Sequence, residues 1–398
     1  MGHDRWKSAI IVGAGAASGW IGWSGYLLLL PASVAFPYLW SRAPGRASAA
    51  LASGAYFLAA SRGLPLGVAA FYQSDIWPGL LLWLVASSGF VFVHSVLWTD
   101  RQGLRSGLAY LIAMILMALP PFGILGWAHP ITAAGVVFAG WGWVGLIGMA
   151  AGLSVMATRY WPAAALTFAG CWLWSAAFWT QPQIGREWQG VDLQLGARMG
   201  RDAGLAYQRD LLATIVRSEV QNRIVILPES ALGFWTTTVA TLWQANAMKG
   251  RMTVIAGAAV VNETGYDNVL VRITGQRAEV VYRERMPVPG AMWQPWRRFA
   301  GENGGARAHF FANPVVEIAG KKIAPLICYE QLIVWPFLQS MLHDPGLVLA
   351  VGNGWWTKDT SIVAIQQVST QAWARLFGKP LVTSFNTSPG ETQWMPHS

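Results

Sequence analysis

Only eight Lys/Arg and three Asp/Glu interrupt the first 180 residues, while residues 181–398 carry the other twenty and sixteen. So little charge over so long a stretch leaves helices packed in a bilayer as the natural way to satisfy the backbone. Charged residues make up 12% of the whole chain, against about 25% in ordinary soluble domains. The chain therefore divides into a membrane half, residues 1–180, and a globular half, residues 188–398.

In the membrane half, apolar runs cover residues 9–40, 47–72, 78–98, 106–127, 131–157 and 162–179. The first is broken by Gly and Ser around 18–25 and by Pro31. At about 20 residues per span it is long for one helix and short for two. Read as two, it makes seven spans in all. Tyr38, Trp40, Trp77, Trp98, Trp127, Trp161 and Trp179 stand at run ends, as interfacial aromatic belts do. Basic residues fall in alternate connections, at Arg42 and Arg46, at Arg101 and Arg105, and at Arg159, whereas 73–77 and 128–130 have none. The positive-inside rule puts the basic loops in the cytoplasm and whatever follows Trp179 on the outer face. Arg62 is the exception, lying within a run. No leader-peptide cleavage site is evident, because the first run continues through Leu27–Leu30.

Several function classes lose support here. The net charge of +9 forms no Lys/Arg block, so nucleic-acid binding is not indicated. The six His show no ligand spacing, and neither a metal nor another cofactor is expected. Few intramembrane charges and no visible repeat argue against a transporter. Cys171 lies in an apolar, Trp-rich run and Cys328 in the globular half, so no disulfide between them is expected.

In the globular half, Leu205, Leu211, Leu212 and Ile215 share one face of an amphipathic helix within 192–218. An apolar strand then runs from Arg223 to Leu227 and stops at Pro228-Glu229. A helix over 236–248 and a strand over 252–261 follow. Residues 268–274 and 278–283 form one hairpin, and 310–318 and 322–328 another. A helix at 333–342, a strand at 347–351, a helix at 361–376 and a strand at 380–385 complete an α/β order. Two apolar strands end on reactive side chains, Glu229 and Cys328. Chemistry in α/β proteins is placed at such carboxyl ends, and a thiol with a carboxylate base makes a nucleophile. Taken singly, each also reads as structural: Cys328 as a small buried hydrophobe, Glu229 as a cap on the next turn.

Leu227-Pro228-Glu229-Ser230 and Ile327-Cys328-Tyr329-Glu330, in this element order, resemble the carbon–nitrogen hydrolase (nitrilase) superfamily. The Tyr266-Asp267-Asn268 turn, Tyr282…Val288-Pro289, Gly352-Asn353-Gly354-Trp355-Trp356 and Phe385-Asn386-Thr387 fall in the same order. The resemblance covers about 200–390 in detail. Over 1–180 it extends only to architecture, which is similar to that of apolipoprotein N-acyltransferases. It implies an αββα sandwich after a helical transmembrane bundle, in a bacterial inner membrane, with the sandwich in the periplasm. It also implies a Glu–Lys–Cys triad, in which Glu229 takes the thiol proton, Cys328 attacks an acyl carbonyl and Glu330 assists. Asn353, Trp293, Trp355 and Trp356 are expected to line the substrate site.

The triad lysine is missing. The family pattern places it two residues after the tyrosine, where this chain has Glu284, flanked by Arg283 and Arg285. On a regular strand both arginines point away from the face of residue 284, so either serves as a substitute cation only if the strand shifts or bulges. Gly290-Ala291-Met292 stands where the acyltransferases have a further glutamate, and their last strands and closing helix are not expected before Ser398. Both departures tell against that particular activity. Residues 286–296, Met-Pro-Val-Pro…Met-Trp-Gln-Pro-Trp, resemble membrane-anchored nitrilase-like proteins of conjugative plasmids.

Two readings of function follow. In one, Cys328 forms a thioester with a membrane lipid or other acylated donor and passes the acyl group to an amine or to water. Trp293, Trp296, Trp335, Trp355 and Trp356, all in predicted loops, would then admit a lipid chain. In the other, the fold is a catalytically retired docking module for conjugative-transfer or envelope proteins.

Overall fold

A computed structural model describes residues 2–199, 204–217 and 223–388. They form two compact units. The first comprises Met1–Pro182, Leu332–Trp335 and Asp359–Lys379; the second comprises Gln183–Gln331, Pro336–Lys358 and Pro380–Ser398.

The first unit is helical: α1 (Gly2–Gly22), α2 (Ala35–Ser41), α3 (Arg46–Ala60), α4 (Leu64–Tyr72), α5 (Ile76–Leu97), α6 (Leu104–Ala118), α7 (Ala134–Val137), α8 (Gly142–Met156) and α9 (Trp161–Phe178). Small residues set how closely these helices approach. A side chain at Gly19 of α1 would lie 2.2 Å from the Tyr56 carbonyl oxygen of α3, so only glycine allows this crossing. A buried chain of hydrogen bonds links three of its segments: Trp23 Nε1 donates to Tyr56 Oη at 2.9 Å, and Tyr56 Oη donates to the Ala128 carbonyl at 2.8 Å.

The expected spans are not reproduced as seven full-length helices. Among the described residues one helix, α5, is long and apolar enough to cross a membrane. Leu27–Ser41, α6 and α8 are apolar but shorter. Gly, Ser and Pro, which hydropathy counts only as mildly polar, divide the remaining runs. The run 47–72 breaks between α3 and α4, and Arg62 lies in that break rather than within a span. Its guanidinium donates to the carbonyls of Trp23 and Ala59, each at 3.2 Å, and lies 4.2 Å over the Trp20 ring.

One helix from the later sequence, α13 (Ile362–Leu376), belongs to this unit and not to the second. It meets α7 at Gly135, where a side chain would overlap the Ala372 carbonyl. Arg375 donates to the Gly135 carbonyl at 3.3 Å and to Ser175 Oγ at 3.1 Å.

The second unit holds two sheets. One has the order β1 (Trp188–Gly190), β2 (Ile224–Ile226), β3 (Thr253–Asn262), β4 (Gly265–Ile273), β5 (Ala278–Arg283). Its first three strands are parallel and its last three antiparallel. The other runs β6 (Val316–Ile318), β7 (Lys321–Ile327), β8 (Leu347–Asn353), β9 (Leu381–Asn386), parallel from β7 onward. The sheets face each other through Ile226, Ile255, Leu270, Ile323, Ile327, Leu349 and Val351. The outer face of the first sheet is covered by α10 (Leu205–Arg217) and α11 (Thr237–Gly250), where Leu211, Leu212, Ile215 and Trp243 pack on Val225, Val254 and Val271. With both faces covered, β2 reads Ile-Val-Ile without alternation.

The predicted elements correspond closely, with three differences. Tyr266-Asp267-Asn268 lies inside β4 rather than in a turn; the first arm of the second hairpin is only Val316–Ile318; and β1, three residues long, gave too little pattern to be seen. A short helix, α12 (Val334–Met341), follows the turn after β7.

Candidate active site

Strand β7 delivers Cys328 to a single turn of 3-10 helix, Cys328–Gln331. The cysteine has φ +44°, a left-handed conformation that a side-chain-bearing residue adopts only when its surroundings impose it. Glu330 supplies the constraint. Its Oε2 accepts from the Ile327 amide at 2.7 Å, and its Oε1 accepts from Tyr282 Oη at 2.6 Å and from the Arg285 amide at 2.8 Å. This carboxylate joins the turn holding the thiol to the end of β5.

Glu229 follows β2 and is buried. It accepts hydrogen bonds from the Asn268 side chain at 2.7 Å, from the Cys328 thiol and from the Asn353 backbone amide. Burial pushes its pKa up to about 7, against the lowering effect of those donors. Gly257 of β3 lets the backbone come this close, since a Cβ there would lie 2.5 Å from Glu229 Cα. The expected base and nucleophile are thus brought together, with Glu330 beside them.

Glu284 also points inward and is fully buried. Asn268 Nδ2 donates to Glu284 Oε2 at 2.8 Å with its second hydrogen, so one amide spans two carboxyl groups. Burial, then the nearby Glu229 and Glu330, raise the Glu284 pKa well above the carboxylate range. Asn268, which the sequence reading put at the join of a turn and a strand and gave no role in the site, is thereby its hub.

Neither flanking arginine takes the place of the absent cation. Arg283 turns to Asp267, with Nε 3.1 Å from Oδ2, and is 43% exposed. Arg285 is completely buried, because β5 has ended before it and the strand alternation no longer holds. Its guanidinium is committed to Glu330, Tyr282, the carbonyls of Pro325 and Pro336, Gln339 and Ser340. It is a brace for the turn. Of the lysines, Lys321 pairs with Glu187 at 2.9 Å and Lys358 is exposed.

Among the expected lining residues, Asn353 reaches the site through its backbone, and its side chain accepts from Asn386 at 2.8 Å. Trp355 and Trp356 are half-buried in the turn after β8. Trp293 stacks edge-on against Phe310 at 5.7 Å. Trp335 lies buried in α12 and not in a loop, so it offers no face to a lipid, whereas Trp296 is exposed.

The carbon–nitrogen hydrolase family model matches residues 58–375. The chain belongs to the carbon–nitrogen hydrolase family. It has the nitrilase-like fold of that family. It is also similar along 97% of its length to two conjugal transfer proteins. One is a probable conjugal transfer protein TraB of Sinorhizobium fredii, 60% identical over 388 residues and covered completely. The other is the conjugal transfer protein TraB of Agrobacterium fabrum, 55% identical over 396 residues and covered to 94%. Two solved structures are more distant. An amidase from Nesterenkonia matches 50% of this chain and 73% of its own at 13% identity and TM-score 0.35. A carbon–nitrogen hydrolase from Helicobacter pylori matches 50% and 72% at 14% identity and TM-score 0.35.

Proposed function

We propose that this carbon–nitrogen hydrolase family member is a membrane-anchored conjugal transfer protein whose second unit performs Cys328-dependent acyl chemistry. The substrate would be a lipid-linked or envelope amide or ester. The observation that carries the reading is the hydrogen bond between the Cys328 thiol and buried Glu229, at a turn held in a left-handed conformation. Glu229 takes the thiol proton, the sulfur attacks the acyl carbonyl, and the leaving group departs to give a thioester. An amine or water then releases the acyl group. The two TraB-named relatives support the transfer role.

Membrane anchoring is supported by the first unit's surface. Leu81 and Val85 of α5, Val144 and Ile147 of α8, and Leu166 and Leu173 of α9 are exposed, while the helices bury Gly, Ala and Ser against one another. That distribution suits a hydrocarbon solvent. The placement of basic connections supports a periplasmic second unit.

A docking module that has lost its chemistry is the second reading, favoured by Glu284 at the expected lysine position and by the engagement of both arginines. Two measurements separate them. The first traps an acyl group on Cys328 by mass spectrometry of protein purified with membrane lipid. The second compares plasmid mating by the wild type and Cys328→Ala at equal protein level. An adduct together with at least about tenfold fewer transconjugants supports the enzyme. Wild-type mating by Cys328→Ala, with no adduct, leaves the docking module.

A further inference from the structure

Within the site one oxygen has no answer. Glu284 Oε2 accepts from Asn268, but Oε1 is buried with no hydrogen-bond partner. Glu330, by contrast, is saturated by Ile327, Tyr282 and Arg285. The Arg285 donors are directed to acceptors other than Glu284, and Arg283 serves Asp267. Across the Asn268 amide from this orphan oxygen stands Glu229, a second carboxyl group. A buried acceptor without a donor calls for an explanation, and here it sits in the machinery that holds the thiol.

The chemistry of the gap points to a cation. A neutral donor would satisfy Oε1 but leave Glu284 in its protonated form, whereas a positive charge both satisfies the oxygen and lets Glu284 ionise beside Glu229. Ammonium fits better than guanidinium, because it is a compact point charge with three donors that need not be coplanar. A metal ion is less well served: among the described residues no group of three or more His, Cys, Asp or Glu is arranged to hold one.

We propose that Glu284, with Glu229 across Asn268, forms a subsite for the ammonium group of an amine-bearing substrate beside Cys328. This deepens the acyl-chemistry reading and rests on it for the role of the thiol, but the subsite is defined by its own geometry. On entry the ammonium replaces the proton that burial, Glu229 and Glu330 keep on Glu284.

The test uses the full-length protein in detergent with Cys171→Ala, which leaves Cys328 as its one thiol. Cys328 is treated with methanethiosulfonates bearing 2-aminoethyl, ethyl or 2-sulfonatoethyl groups. Each forms a mixed disulfide with the thiolate and releases methanesulfinate. Rates at about pH 8 are divided by those of a free small thiol. The cationic reagent is expected to lead the neutral one by about tenfold or more, and Glu284→Gln to bring the ratio to within about twofold of unity. Glu284→Lys is expected to invert it. Ethylammonium chloride should also raise the melting temperature of the wild type above that in equal sodium chloride, with no such difference in Glu284→Gln. A ratio indifferent to Glu284→Gln overturns the subsite, as does the absence of ethylammonium stabilisation if Cys328 resists every reagent. A retained cation preference without any acyl adduct overturns the acyl chemistry and leaves the subsite standing.

Discussion

At the scale of residues, the site is governed by how unequally donors are shared among its acids: Glu330 has donors on three residues, whereas Glu284 Oε1 has none among the described residues. Glu229 and Glu284 share a single amide, and burial keeps both protonated above the usual range. On the proposed reading Glu229 would take the thiol proton only when ionised, so a pKa near 7 would make the thiol's reactivity depend on pH there. Alkylation of Cys328 by neutral iodoacetamide is expected to accelerate as pH rises through about 7, and Glu229→Gln to remove that inflection, as a stopped-time pH profile would read. The same shift has an opposite effect on folding. The unfolded chain releases this proton in the ordinary carboxylate range and the folded chain only near 7, so its contribution to stability is lost as pH rises between them. Glu229, Cys328 and Glu330 were all legible in the sequence, because each sits at or just beyond the end of an apolar strand. The role of Asn268 was not, since it stands where a Tyr-Asp-Asn turn signal meets the start of a predicted strand, and only pairing of the whole of 265–273 with β3 aims its amide at the two acids.

Among the elements, β5 is where the sequence reading of Arg285 as a possible substitute cation gives way to a buried brace. Strand alternation, applied past Arg283, put it on the far face from residue 284, but β5 stops there and the chain turns into the space beside β7. The guanidinium so placed fastens the end of β5 to the Cys328 turn through Glu330. Both side chains are fully buried and 3.3 Å apart. Breaking such a pair from one side leaves an uncompensated charge in the interior, at a cost of about 3–5 kcal/mol. Glu330→Gln is therefore expected to lower stability by about that amount in denaturant melts of the purified protein. An unchanged midpoint would mean that the turn is held by other contacts. The strands themselves were legible wherever an apolar run met a charged or glycine-containing stop. The helices of the first unit were less so, because Gly, Ser and Pro at 61–63 and 119–121 divide runs that remain apolar on average.

For the whole molecule, the sidedness of the second unit decides which substrates it can meet. Arginines occupy alternate connections of the first unit, at 42 and 46, at 101 and 105, and at 159, and on the proposed membrane reading a crossing after Arg159 would carry the chain outward. Phe299 is a suitable reporter, since it is 93% exposed and lies far in sequence from the residues that hold Cys328 and Glu229. With Cys171 and Cys328 replaced by Ala, Phe299→Cys is expected to be labelled by a membrane-impermeant maleimide in intact spheroplasts. Labelling should be blocked by prior treatment with an impermeant thiol reagent. If the residue labels only after the membrane is opened, the second unit faces the cytoplasm, and its acyl substrates must be sought there and not among envelope components.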